Sequence, residues 1–307
     1  MKRFLLPLVT GFAFATQIQG QVWINEMLAN PPGSDSTAGV GLEYFELRGT
    51  PGLSLAGYYL LSLEGQGTTG KGDVNQLFDL GSFSLGANGF LFARQLGSPY
   101  TSVSGGATLA ANSVGQGWGQ VNVGGSSVGH SSDGSQFDLE NSATTIILLR
   151  NSGGAAPTIT TDLDSDNDGV LDGLDSNWTI LDSIGLMDGA GAAAGDVSYG
   201  AITFRVGTLG TAANGPVITV LDPVPGSQNL YVGRKRDSTG STADDWVASY
   251  VTGTGGGFSF GVNTTDPSFV GLPITVMQFG ASNAPEPASW ALLGAGFAAW
   301  ALIRRRR

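Results

Sequence analysis

Five carboxylates crowd into twelve residues in the segment Asp164-Ser165-Asp166-Asn167-Asp168-Gly169-Val170-Leu171-Asp172-Gly173-Leu174-Asp175. Counted from Asp164, they stand at positions 1, 3, 5, 9 and 12, with glycine at 6 and valine at 7. Alternate side chains in such a run can converge on one point, and Gly169 permits the sharp turn that brings them there. The Val170 carbonyl, Asp172, and Asp175 or the preceding Asp162 can then complete a shell of oxygens. That chemistry is the holding of a hard divalent cation, calcium, and it involves no electron or group transfer. Without a cation these carboxylates repel one another, so the alternative is an acidic turn kept in solvent. Aspartate at position 12 reaches less readily than glutamate for bidentate closure, which suits a structural ion better than a sensor.

Other chemistries find little to work with. His130 is the only histidine, and a zinc or two-metal hydrolase site normally draws on several imidazoles. It sits in Gly129-His130-Ser131-Ser132-Asp133 with no Gly-x-Ser-x-Gly elbow, and it reads as part of an exposed polar loop. Glycosidase chemistry needs only two carboxylates, and Glu43, Glu46, Asp244 and Asp245 offer them, yet nothing singles them out. Glu26 and Glu46 read equally as charges that discourage pairing at a strand edge. The chain therefore reads as non-enzymatic, with no catalytic residues assigned.

The ends of the chain carry much of its positive charge. Of 14 Lys and Arg residues, six lie in the two terminal segments (Lys2, Arg3 and Arg304 to Arg307), leaving eight against 24 acidic residues between them. A net charge of about −16 there repels nucleic acid and anionic headgroups and attracts divalent cations. Arg234-Lys235-Arg236 is the one basic cluster of the central region, read as an exposed turn or a contact for an acidic polymer such as an extracellular polysaccharide. There is no cysteine, so neither disulfides nor thiolate metal sites are available.

Glycine is abundant, at 49 residues, and charged residues make up only 13%, which suits short strands and tight turns better than helices. Apolar or alternating segments bounded by Gly, Pro, Asn, Asp and Ser predict strands at Val22 to Met27, Glu43 to Arg48, Tyr58 to Leu63, Phe90 to Arg94 and Thr144 to Arg150. Further strands are predicted at Ile180 to Ile184, Ala201 to Val206, Val217 to Val220, Asn229 to Val232, Trp246 to Val251 and Ile274 to Phe279. Strict alternation in Glu43 to Leu47 puts Tyr44 and Glu46 on one face and Glu43, Phe45 and Leu47 on the other, without saying which is core. The Gly/Ser-rich stretch 98–134 reads as an insertion or long loop with at most a weak hairpin. The expected fold is an all-β sandwich of antiparallel sheets with long Gly-rich insertions.

Three segments carry a family resemblance. Val22-Trp23-Ile24-Asn25-Glu26, Glu43-Tyr44-Phe45-Glu46-Leu47 and Leu55-Ala56-Gly57-Tyr58-Tyr59-Leu60, with Gly233-Arg234 and Asp244-Asp245-Trp246-Val247 further on, resemble the lamin-tail domains of secreted bacterial proteins. The resemblance implies an immunoglobulin-like sandwich without catalytic residues of its own. Such modules accompany nucleases and phosphoesterases, so the alternative reading is a secreted hydrolase or its accessory domain. The acidic loop has EF-hand-type spacing but no flanking amphipathic helices, and is more similar to the calcium loops of thrombospondin type 3 repeats and dockerins.

Both ends read as addresses. Lys2 and Arg3 precede an apolar stretch from Phe4 to Ala15 and small residues, the pattern of a secretory signal peptide over 1–20 with a signal helix. At the other end, Pro285-Glu286-Pro287 precedes the apolar run Trp290 to Ile303 and four arginines. This order resembles the PEP-CTERM sorting signal of Gram-negative bacteria, over 284–307. The resemblance implies processing near Pro285, Glu286 and Pro287 by an exosortase-type enzyme. The apolar run would form a transmembrane helix anchoring the chain transiently in the inner membrane, with the arginines on the cytoplasmic side. Residues 21–280 are left for the elaborated sandwich, with the acidic loop at 162–175. The expected product is an exported surface or matrix protein of adhesion, exopolysaccharide or biofilm context.

Overall fold

A computed structural model describes residues 21–32, 42–67, 69–94, 98–100, 107–110, 128–130, 139, 143–159, 161–187, 195–206, 211–212, 214–220, 230–255 and 257–277. The expected signal helix, the transmembrane segment and Pro285, Glu286 and Pro287 lie outside these residues. Among the described residues no helix is long and apolar enough to cross a membrane.

The first half of the chain supplies β1 (Val22–Leu28), β2 (Tyr44–Gly49), β3 (Tyr58–Glu64), β4 (Val74–Asp79), β5 (Phe90–Arg94), β6 (Ala107–Ala110), β7 (Val128–His130) and β8 (Thr144–Asn151). The second half adds β9 (Trp178–Met187), β10 (Val197–Ser198), β11 (Ile202–Val206), β12 (Thr211–Ala212), β13 (Val217–Val220), β14 (Leu230–Arg234), β15 (Trp246–Thr252) and β16 (Ser259–Phe260). Two seven-stranded sheets result, ordered β16-β15-β14-β1-β2-β5-β6 and β13-β11-β9-β8-β3-β4-β7, beside a small β10-β12 pair. The described residues form an all-β fold, as composition predicted.

Pairing departs from the purely antiparallel expectation. β5 and β6 run parallel, as do β9 with β11 and β11 with β13. Alternation of side chains is the same in both kinds of ladder, so the pattern alone could not distinguish them. Within the stretch 98–134 the described residues include two short strands, β6 extending the first sheet and β7 the second. His130 therefore belongs to a strand, in register with Gln76, rather than to a loop. Ile274–Met277 forms a turn of 3₁₀ helix where a strand was expected. β4 was missed because Val74-Asn75-Gln76-Leu77-Phe78-Asp79 shows no clean alternation.

The inner faces of the two sheets share one core, to which Ile24, Phe45, Leu47 and Trp246 come from one sheet and Leu60, Phe78, Leu148 and Phe204 from the other. Phe45 meets Phe78 edge-on at 4.9 Å, and Phe204 meets Trp246 at 5.4 Å, geometries aromatic quadrupoles favour. Two further apolar layers cover the outer faces. On the first sheet, Leu28, Tyr44, Phe92, Tyr231 and Val251 lie under Phe258, Phe260, Phe269, Ile274 and Met277 of the C-terminal segment. On the second, Leu61, Leu63, Val74, Leu77, Ile147 and Leu149 pack with Leu163 and Tyr199. Both faces of β2 are therefore buried, and the expectation that Glu26 and Glu46 guard an edge is overturned. β1 and β2 are interior strands, and both glutamates are 0% exposed.

Two bulges decide what faces what. In β1, Ile24 pairs with Leu47 and Glu26 with Glu46, leaving Asn25 as the extra residue. In β9, Ile180 pairs with Leu149 and Asp182 with Leu148, leaving Leu181 extra. A bulge shifts the alternation by one, and the second one turns Asp182 into the space between the sheets. There its Oδ2 accepts the Ile24 N–H at 2.9 Å and the Arg234 guanidinium at 2.8 Å. Arg234 also donates from Nε to the Ile24 carbonyl and from Nη1 to the Gly240 carbonyl, and its guanidinium carbon stacks 4.3 Å from the Trp246 ring. The basic triplet is thus no exposed patch: Arg234 is 0% exposed, Lys235 lies 3.9 Å from Asp266, and only Arg236 is solvated.

Candidate metal centre

The acidic loop is docked on the second sheet at both ends of its run. Val74 N–H donates to the Thr161 carbonyl, Asp73 and Asp162 form an isolated bridge, and Leu163 N–H donates to the Gly72 carbonyl. Leu163 is then buried in the outer layer, and Gly173 N–H returns to the Leu163 carbonyl, closing the loop's base. Within it, Asn167 and Gly169 adopt left-handed φ of 59° and 93°, conformations that Asn and Gly tolerate best. The Asn167 side-chain oxygen accepts the Lys71 N–H at 2.8 Å, so the tip is tied to the β3–β4 turn.

One oxygen from each of Asp164, Asp166 and Asp168 falls within 4.8 Å of the others. Asp164 is buried and fixed by three donors: the Asp168 N–H to Oδ1 at 3.0 Å, the Gly169 N–H to Oδ2 at 2.9 Å and the Tyr199 hydroxyl to Oδ2 at 2.6 Å. Asp166 and Asp168 are exposed or nearly so, leaving the open side of the cluster toward solvent. The Asp166 carboxyl is pushed above the usual range by desolvation and by the charges of Asp168, Asp172 and Asp164, against a lowering bond from the Asp168 N–H. Carboxylates crowded in this way favour a proton or a cation.

The remaining loop acids have other partners. Asp172 accepts the Ser165 N–H and hydroxyl, both at 2.9 Å, which hold its carboxyl below the usual range. Asp162 caps the Asp164 N–H at 2.9 Å. Asp175 accepts both the N–H and the side-chain amide of Asn177 and so turns toward the start of β9. Val170 donates its N–H to Asp168, and its side chain is exposed. The geometry therefore gathers Asp164, Asp166 and Asp168, keeps Asp172 close enough to act on Asp166, and directs Asp175 elsewhere. Three oxygen donors with no nitrogen or sulfur suit a hard cation, and calcium's flexible shell accepts waters and a backbone carbonyl beside them.

Two participants had no signature in the sequence. Tyr199 comes from the segment after β10, and its phenol is held strongly neutral by burial and by the hydrogen bond to Asp164. Gly72 lies at φ 81°, and a Cβ there would stand 2.6 Å from the Asp164 Cβ and 2.7 Å from its nitrogen. Gly72→Ala should therefore cost about 2 kcal/mol through clash and backbone strain, and urea denaturation measures the loss.

Of the four candidate catalytic carboxylates, Glu43, Glu46 and Asp245 hold hydrogen bonds within the fold, and Asp244 is exposed. Glu43 accepts the Leu139 N–H on both oxygens, and the Asn25 amide donates to Glu46 at 2.7 Å. Asp245 is held below the usual range by the Ser238 and Thr242 hydroxyls.

Comparison with known proteins locates one family signature. Residues 283–307 match the PEP-CTERM protein-sorting motif. The motif implies export and exosortase-dependent sorting to the cell envelope or surface of a Gram-negative bacterium. It also makes an exosortase the processing partner. No curated protein and no solved structure is significantly similar to the chain.

Proposed function

We propose that this PEP-CTERM protein is a non-enzymatic, calcium-stabilised sandwich of the cell surface or extracellular matrix, acting in adhesion, exopolysaccharide binding or biofilm structure. The sorting motif at 283–307 carries the reading. An apolar run of fourteen residues from Trp290 to Ile303 would reach about 21 Å as a helix, enough for transient inner-membrane anchoring in a thin or deformed bilayer. The arginines then stay cytoplasmic while the sandwich lies outside. A lamin-tail-like ancestry accounts for the strands around Glu26, Glu46 and Gly57. The reading of the sandwich as structural is supported by the commitment of Glu43, Asp182 and Asp245 to fixed hydrogen bonds. Calcium would be held by Asp164, Asp166 and Asp168, with the Val170 carbonyl, Asp172 and Asp162 as further donors, and would supply rigidity to the loop that covers the second sheet.

Mass spectrometry of the protein isolated from its host tests the sorting route. Peptides are expected to end near Pro287, and intact Arg304 to Arg307 in the surface form would refute it.

A further inference from the structure

Beneath the C-terminal segment lies a second acidic constellation, remote in sequence from the calcium loop. Glu26 on β1 and Glu46 on β2 are in direct register, on the same outer face of two interior strands, and both are 0% exposed. The Tyr231 hydroxyl donates to Glu26 Oε2 at 2.7 Å, and the Asn25 amide nitrogen donates to Glu46 Oε1 at 2.7 Å. This arrangement is built. Asn25 is the bulge residue that carries Glu26 to the outer face, and Gly233, opposite Glu26, leaves the space that the Tyr231 hydroxyl occupies. A Cβ on Gly233 would fall 2.2 Å from that oxygen.

The charged and titratable groups on the pair's face are Tyr44 and Arg48 of β2, Tyr231 of β14, Arg94 of β5 and Tyr100 after it, while β15 and the covering segment present the uncharged Val247, Ser249, Val251, Phe258, Phe260 and Phe269. Arg48 spends its guanidinium on the Arg236 and Ser238 carbonyls and on Asp237, and Arg94 donates to the Ser98 carbonyl. The phenols of Tyr44 and Tyr231 are pushed well above their usual range, by burial first and by Glu26 next, and remain neutral. Asn25 Oδ1, on a side chain that is 0% exposed, accepts no hydrogen bond.

We propose that Glu26 and Glu46 share one proton at neutral pH, forming a buried carboxylic acid–carboxylate pair that makes the sandwich tighter in acid and looser in alkali. Two carboxylates brought together in low dielectric do not both ionise readily. The sign follows from linkage. Over the range from about pH 4.3, where an exposed glutamate ionises, up to the point where the pair loses its proton, the folded chain binds more protons than the unfolded one. Stability contributed by the pair therefore falls as pH rises through that window. The loosening is expected at the cover, Phe258 to Met277, which packs on Tyr231 through Phe260 at 5.1 Å and leads directly toward the sorting tail.

Thermal melts of the purified protein, E26Q, E46Q and the double variant, in chelator at pH 4.5 and pH 8, test the proposal. Each single variant is expected to melt roughly 2–4 °C above wild type at pH 8 and level with it at pH 4.5, the second substitution adding little. Equal destabilisation at both pH values would overturn the proposal. So would calcium or sodium stabilising a D164A/D166A background in a manner lost with E46Q, since the pair would then hold a metal ion and not a proton. Should the variants fail to fold, infrared spectroscopy of the wild type at pH 7.5 decides: a protonated carboxylic acid carbonyl band is required, and its absence refutes the shared proton.

Discussion

Arg234→Ala is expected to lower stability by about 3–5 kcal/mol, a fall in Tm of roughly 10 °C for a domain of this size. The substitution leaves Asp182 buried without its cation and the Gly240 carbonyl without that donor, and it removes the stack on Trp246. Asp182→Ala should cost a similar amount, because it strands the guanidinium and the Ile24 N–H together. The two sheets meet at this point: Arg234 and Ile24 belong to one and Asp182 to the other. Arg236→Ala, two residues from Arg234 but solvated, should stay within about 0.5 kcal/mol of wild type. Denaturant midpoints of the four proteins check the contrast. Equal effects at Arg234 and Arg236 would mean that the ion pair does not join the sheets.

Calcium should raise the melting temperature. A cation bound only by the folded chain adds about 2.7 kcal/mol at one hundred times its dissociation constant, and extracellular sites commonly bind at roughly 0.1–1 mM. Millimolar calcium should therefore produce a clear part of this gain. Asp164→Ala with Asp166→Ala should abolish it, and Asp164→Ala alone should also destabilise the calcium-free protein, since the Asp168 and Gly169 N–H groups and the Tyr199 hydroxyl all lose their acceptor. Asp175→Ala, by contrast, should leave calcium affinity nearly unchanged, because that carboxylate faces Asn177. Titration calorimetry with calcium and magnesium separates the cases. Identical, weak heats from the two ions, with melting indifferent to calcium, would return the loop to an acidic turn.

What the sequence determined by itself was local. Asp164, Asp166 and Asp168 converge because alternate residues of one short loop cannot avoid each other once Gly169 turns the chain, and that geometry is complete within a few residues. Pro285-Glu286-Pro287, the apolar run and the arginines are likewise a signal read in linear order. Ten of the predicted strand segments coincide with strands because alternation and flanking turn residues act over a few positions. Tertiary structure decided the rest, through single-residue changes that no periodicity announces. A bulge at Leu181 turns Asp182 inward, where a regular strand would have left it on the outer face beside Ile180. Only then does Arg234 acquire a reason to be buried, and only from the folded sheets can it be told from Arg236. The bulge at Asn25 and a C-terminal cover that packs over a second face convert Glu26 and Glu46 from apparent edge charges into a buried pair. Parallel and antiparallel ladders impose the same alternation, so strand direction too was set by how the crossovers pack. Asp164 and Tyr199, thirty-five residues apart, meet because the acidic loop and the segment after β10 fold onto one sheet, a coincidence of topology that spacing along the chain does not contain.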